Sequence, residues 1–99
     1  MAFGLILSGC DSWDKANQAY INRDYPKAFN LTLPLAKEGE ARAQSRLGYM
    51  YAEGLGVPQA YQSAFKWYLQ AAEQGNAAGQ SGLGYIYTKG LGVPQDYKL

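Results

Sequence analysis

The 99-residue chain has no histidine and a single cysteine, Cys10. Without histidine, nucleophiles activated by an imidazole and metal sites with imidazole ligands are excluded. One cysteine cannot form an internal disulfide, so packing alone must stabilise the fold. No apolar run approaches the roughly 18 residues that span a bilayer. Because paired carboxylates at a fixed helical spacing are also missing, the sequence offers no candidate catalytic residue, metal ligand or cofactor site.

The charges are few and balanced. Nine Lys and Arg against eight Asp and Glu give a net charge of +1, and no block of like charge occurs. Nucleic-acid-binding domains have a basic patch or stripe, so we expect no nucleic-acid partner. The hydrophobic fraction of 47% and the nine tyrosines are typical of a folded protein. At this length the chain forms at most one small domain.

One offset of 36 residues relates the chain to itself. The run Gly-Leu-Gly-Val-Pro-Gln at 54–59 recurs at 90–95, and Leu-Gly-Tyr at 47–49 recurs at 83–85. A period of this length indicates stacked helical repeats. We divide the chain into an N-terminal segment 1–10, a degenerate unit 11–40, a complete unit 41–76 and a truncated unit 77–99.

Two amphipathic helices are predicted in the complete unit. The first, helix A, carries Ala43, Leu47 and Met50 on one face, because they recur at three- and four-residue spacing. Gly54 suits the left-handed residue that follows a helix end, and Pro58 keeps the connector from being helical. The second, helix B, has an inward face of five residues: Ala64, Phe65, Tyr68, Ala71 and Ala72.

Residues of unusual helix propensity give two further predictions. Asp24 can cap the first helix B, whereas Ala60 at the same position of the complete unit cannot. Gly48 and Gly84 lie inside helix A, where each costs about 1 kcal/mol relative to alanine. We therefore expect another helix to approach closely at both glycines.

The first unit departs from the repeat. Its helix A is predicted over residues 12–22, and the connector between its two helices is missing. Pro26 suits the first turn of its helix B. Pro34 lies late in the same helix and predicts a kink or an altered last turn. These departures are typical of a capping unit.

The repeated residues resemble the Sel1-like repeat, a relative of the tetratricopeptide repeat. The resemblance rests on Leu-Gly at 47–48, on Gly-x-Gly-Val at 54–57, on Trp-Tyr at 67–68 and on Ala-Ala at 71–72, and it covers nearly everything from residue 12 onward. It implies an all-α fold, an α-solenoid of antiparallel helix pairs in a right-handed superhelix with about two and a half repeats. It also implies a non-catalytic scaffold that binds protein partners without a cofactor.

In related repeat proteins helix A lines the concave surface. The resemblance therefore implies a partner-binding surface made by eight residues: Arg42, Ser45, Tyr49, Glu53, Ser81, Tyr85, Thr88 and Lys89. Tyrosine is favoured in such surfaces because it offers a large, rigid ring with a polar tip. The alternative is that Tyr49 and Tyr85 pack between neighbouring A helices.

The N-terminus resembles a bacterial lipoprotein signal shortened at its start. Leu-Ser-Gly-Cys at 7–10 is similar to the lipobox, at which Cys10 would be acylated, although no basic residue precedes the apolar residues 2–7. The alternative is a small cysteine buried near the first helix. Lipid attachment would place the protein in the cell envelope, facing the periplasm. Asp11 after the cysteine is typical of retention in the inner membrane, whereas an unmodified chain would be cytoplasmic.

Three functions are open from sequence. The first is a protein or peptide scaffold tethered to a membrane. The second is binding or export of exopolysaccharide or cell-wall glycans, because tyrosines can stack on sugars. The third is regulation of an enzyme or hydrolysis, which the missing histidine disfavours. Because the chain stops at Leu99, three residues after Asp96, we also expect it to be part of a longer repeat array.

Overall fold

The computed structural model describes residues 2–90, and it describes the side chains of residues 11–90. Five α-helices follow one another: α1 (Ala2–Ile21), α2 (Tyr25–Lys37), α3 (Ala41–Glu53), α4 (Tyr61–Glu73) and α5 (Ala77–Lys89). No strand occurs in the described part of the chain. Helices α1, α3 and α5 are the A helices, and α2 and α4 are the B helices. Each helix packs against the next one, and α3 also packs against α5. The prediction of an all-α solenoid of antiparallel helix pairs is confirmed.

The glycines predicted to end the A helices do so. Gly54 follows α3 with φ +71°, and its amide donates to the carbonyl of Met50. Gly90 follows α5 with φ +63°. This left-handed conformation is strained for residues with a side chain, so glycine is the residue that ends the helix at low cost.

The N-terminus of α4 lacks a side-chain cap, as predicted. Ala60 is the N-cap residue, and no side chain bonds the amides of the first turn. The neighbouring Gln59 does not compensate either. Its side-chain nitrogen donates instead to the carbonyl of Ala52 at 2.8 Å. In α2, by contrast, the carboxylate of Asp24 accepts a hydrogen bond from the amide of Lys27 at 3.5 Å.

Replacing Ala60 with aspartate is therefore expected to stabilise the fold. The new carboxylate would accept hydrogen bonds from first-turn amides and raise the free energy of unfolding by about 1 kcal/mol. Urea unfolding followed by circular dichroism measures this change. An unchanged or lower midpoint for Ala60→Asp would contradict the assignment of Ala60 as the capping position.

The first unit differs from its prediction at the helix start. Helix α1 begins at Ala2, ten residues before the predicted start at Ser12. The reason is that residues 2–11 contain no proline and are mostly compatible with a helix, so no residue ends it there. The missing connector is confirmed, because residues 22–24 alone join α1 to α2. Arg23 makes this turn with φ +63°.

Pro34 does not change the end of α2. The helix continues through it to Lys37. The amide of Gly39 then donates to the carbonyl of Ala36 at 3.0 Å, and the equivalent bond after α4 is 2.9 Å. The predicted alteration of the last turn is therefore wrong. Pro34 has no amide hydrogen to donate to the carbonyl of Asn30. Both residues are exposed on α2, so water can donate to that carbonyl instead.

Two clusters of buried side chains form the core. One joins α1, α2 and α3, and the other joins α3, α4 and α5. One aromatic contact occurs twice in the fold, at positions that are 36 residues apart. Phe29 meets Tyr51 edge to face with ring centroids 5.6 Å apart, and Phe65 meets Tyr87 in the same way at 5.8 Å. The repeat in sequence is thus a repeat in packing.

Only one of the two predicted close approaches is present. A Cβ atom on Gly48 would lie 2.6 Å from a ring carbon of Tyr68. Around Gly84 nothing lies within 4 Å of such an atom, so the prediction for Gly84 is wrong. The second approach is instead at Gly82, where a Cβ atom would overlap the ring of Tyr68. The Tyr68 ring is therefore held between the backbones of α3 and α5.

Candidate functional site

A groove with a cavity volume of about 720 Å³ follows the A helices. Helix α3 supplies its middle, α1 forms one side and α5 forms the other. The lining is mostly aromatic, small and charged: Trp13, Tyr20, Arg42, Ser45, Arg46, Tyr49, Ala52, Glu53, Tyr68, Asn76, Ala78, Ser81, Gly82 and Tyr85. This volume lies in the range of about 300–1,000 Å³ that is usual for ligand pockets.

The groove brings together six of the eight residues that the sequence placed on the surface of helix A. Thr88 and Lys89, in the last turn of α5, are exposed but do not line it. The six lining residues are Arg42, Ser45, Tyr49, Glu53, Ser81 and Tyr85.

Two pairs of lining residues are identical at equivalent positions of adjacent repeats. Tyr49 and Tyr85 are 36 residues apart and are 46% and 48% exposed. They are therefore not enclosed between neighbouring A helices. Ser45 and Ser81 have the same separation, but Ser45 is nearly buried and its hydroxyl donates to the carbonyl of Arg42 at 3.1 Å. The groove thus presents a half-exposed tyrosine from each of two repeats.

Tyr68 of α4 reaches the groove from the layer of B helices. Its ring fits between α3 and α5 because Gly48 and Gly82 carry no side chain. The residue is only 5% exposed. Burial raises the pKa of its phenol to about 12, so the hydroxyl is neutral at ordinary pH. Tyr68 therefore joins the core of the fold to the floor of the groove.

One end of the groove holds two arginines against aromatic rings. The guanidinium carbons of Arg42 and Arg46 lie 4.6 and 4.8 Å from the ring centroid of Trp13. Arg46 also lies 3.9 Å from the ring centroid of Tyr20 and donates to the side-chain oxygen of Asn17 at 3.0 Å. Such cation–π contacts stabilise by about 0.5–2 kcal/mol each. Arg46 therefore stabilises the packing of α1 against α3.

The two arginines differ in exposure. Burial lowers the pKa of Arg46, and its Nη1 atom is buried without a hydrogen-bond partner among the described residues. The side chain of Arg42 is 53% exposed and lies 3.1 Å from the carboxylate of Glu40. This hydrogen bond from Arg42 lowers the pKa of Glu40. Arg42 is therefore the cation that an incoming ligand can reach.

The part of the lining that comes from other elements was not predicted from the sequence. Trp13 and Tyr20 belong to α1, and Tyr68 belongs to a B helix. The signal that was available is the replacement of Arg46 by Gly82 after 36 residues, because the small residue is what admits the Tyr68 ring.

The arrangement is suited to binding. Within the part of the chain that the structure describes, no three His, Cys, Asp or Glu side chains gather as metal ligands would. Of the described helices, none is both long and apolar enough to cross a membrane. What the groove offers is aromatic surface, hydroxyl groups and separate charges, on helices that fix their positions.

Stacked helix pairs with a groove along one layer define a helical-repeat solenoid. The chain belongs to the Sel1 repeat family, whose repeat matches residues 17–40, 41–76 and 77–99. No curated protein and no solved structure matched the chain. Sel1 repeats are generally protein–protein interaction modules, and the repeat itself is non-catalytic.

Proposed function

We propose that this protein is a scaffold that binds a protein partner in the groove along its A helices. The observation that carries the proposal is the pair Tyr49 and Tyr85, half-exposed at equivalent positions of adjacent repeats. Tyrosine is enriched at protein interfaces because it buries much area with little loss of side-chain freedom. Both rings project from helices packed against each other, so their spacing is set before binding and the entropy cost of association is reduced.

The test is selection from a phage-displayed library of random dodecapeptides on the intact chain. Peptides that bind the groove should lose affinity for the double variant Tyr49→Ala/Tyr85→Ala by tenfold or more, because truncating central aromatic residues commonly costs about 2 kcal/mol or more. Circular dichroism and thermal unfolding of the variant should remain close to those of the parent chain, since both rings are half-exposed.

A matched double variant lies on the opposite layer. Gln62 and Lys66 are exposed on α4, and Gln62→Ala/Lys66→Ala should leave peptide binding unchanged. Equal affinity of the selected peptides for the tyrosine variant and the parent would overturn the groove as the binding surface. Loss of the fold in the tyrosine variant would instead assign both rings to the core.

We also propose that the scaffold is tethered to a membrane through lipid on Cys10 and faces the periplasm. The support for this anchor is the sequence Leu-Ser-Gly-Cys at 7–10. The side chain of Cys10 lies outside the side chains that the structure describes. A chain expressed in a bacterium and labelled with an alkyne fatty acid should incorporate the label, and Cys10→Ser should not. Equal labelling of both chains, or of neither, would contradict the anchor.

A further inference from the structure

The groove has opposite charges at its two ends. Arg42 lies in the first turn of α3, and Glu53 is the last residue of the same helix. Both line the groove, which therefore extends along the whole of α3. Arg42 is paired with the carboxylate of Glu40, but together with Arg46 this end still carries a net positive charge. A ligand lying in the groove would therefore meet positive charge at one end and an anion at the other.

Both cations of the positive end belong to α3. Arg42 and Arg46 both face the groove there, over Trp13 of α1. Their equivalents after 36 residues are Ala78 and Gly82, which carry no charge. An anionic group would therefore be held at one place rather than once in every repeat. Nε and Nη2 of Arg42 already donate to the carboxylate of Glu40, so a ligand carboxylate would share this arginine with Glu40.

The negative end is also unique to α3. Glu53 is exposed and forms no ion pair within the described residues. Its equivalent after 36 residues is Lys89, which does not line the groove. A cationic group that enters this end would find the carboxylate of Glu53 accessible.

The spacing of the two charges sets the length of the ligand. From Arg42 to Glu53 the helix advances 11 residues, or about 16 Å at 1.5 Å per residue. An extended peptide advances about 3.3 Å per residue, so about five residues cover this distance. Resting on the function proposed above, we propose that the groove binds an extended peptide with an acidic and a basic residue about five positions apart. The acidic residue lies at Arg42 and the basic residue lies at Glu53.

Two synthetic hexapeptides of the same composition test the spacing. In the first, Asp-Leu-Ser-Leu-Ser-Lys with both ends blocked, the charges are five positions apart. In the second, Leu-Ser-Asp-Lys-Leu-Ser, they are adjacent. Each carries a dye of zero net charge for fluorescence anisotropy with the intact chain. We expect the first peptide to bind at least fivefold more tightly, and equal binding, or none by the first, would overturn the proposal.

A charge exchange in the protein tests the assignment of the two ends. Arg42→Glu should weaken the first hexapeptide at least fivefold, because its carboxylate then meets a like charge. Adding Glu53→Lys to the same chain should restore binding, since the peptide can lie in the opposite direction. Restoration also shows that glutamate at position 42 is compatible with the fold. Failure of the double variant to bind while its circular dichroism is native would contradict the assignment.

The control places the same charge change elsewhere. Lys66→Glu changes an exposed lysine on α4, outside the groove, and should leave both hexapeptide affinities unchanged. The dodecapeptides selected on the intact chain separate this proposal from the function on which it rests. Selected dodecapeptides that need the two groove tyrosines but ignore Arg42→Glu would overturn the charge arrangement and leave the scaffold function standing. Dodecapeptides that ignore both changes would overturn both proposals.

Discussion

Replacing Tyr68 with alanine is expected to lower the free energy of unfolding by about 3–5 kcal/mol, as for other large aromatic residues in cores. The ring is only 5% exposed and fills the space between α3 and α5 that Gly48 and Gly82 leave open. With the ring gone, the two helices face each other across a cavity, because neither glycine offers a side chain to fill it. Small domains are stable by about 5–15 kcal/mol, so this single change removes a large part of the total.

Urea unfolding followed by circular dichroism measures this loss, and Tyr68→Phe is the matched control. Phenylalanine keeps the ring, so its free energy of unfolding should stay much closer to that of the parent than to that of the alanine variant. A loss below about 1 kcal/mol in Tyr68→Ala would mean that α3 and α5 close over the gap, since the cost depends on how far a site collapses.

The hydroxyl of Tyr68 should make the free energy of unfolding depend on pH differently in the parent chain and in Tyr68→Phe. Its pKa is about 12 in the fold against its usual 10.0, mainly because burial disfavours the phenolate. The neutral form therefore contributes its stability in full below pH 10, and this contribution is lost as the pH rises from 10 towards 12. Tyr68→Phe should show a shallower loss over that interval. Burial also raises the pKa of Tyr20, but Tyr20 is present in both chains, so the difference between their curves reports Tyr68.

The helices were predictable because local rules determine them. Gly54 ends α3 in the left-handed conformation, and Ala60 leaves α4 without a side-chain cap. Both properties depend on a residue and its immediate neighbours, which the sequence shows directly. The period of 36 then assigned the elements to layers, and the recurring contacts of Phe29 with Tyr51 and of Phe65 with Tyr87 follow the same period.

The lining of the groove was less predictable because it depends on contacts between distant residues. Arg46 lies over Trp13 and Tyr20, which are more than 25 positions earlier in the chain and belong to a unit without the connector. The period therefore does not align α1 with α3, and helix periodicity alone cannot show which ring an arginine will meet. Positions within α3 were easier, since Arg42, Tyr49 and Glu53 lie on its groove side.

Two of the three glycines of α5, Gly82 and Gly84, should respond in opposite ways to alanine. At Gly82 a methyl group would overlap the Tyr68 ring, which cannot move away because its other side faces Gly48. Overpacking of this kind typically costs about 1–3 kcal/mol. At Gly84 nothing lies within 4 Å, so a methyl group meets open space. Alanine there should stabilise the helix by up to about 1 kcal/mol, because glycine is the poorer helix former.

The comparison is controlled, because the same change is made two residues apart in one helix. The gain in helix propensity is common to both variants, so the difference in their free energies of unfolding isolates the contact with Tyr68. We expect Gly82→Ala to be about 1–3 kcal/mol less stable than Gly84→Ala, measured in urea with parallel samples. Adding Tyr68→Ala to each variant should largely abolish this difference, since the ring that the methyl group meets is then absent. A difference that survives this addition would place the obstruction in the backbone of α4 and not in the Tyr68 ring.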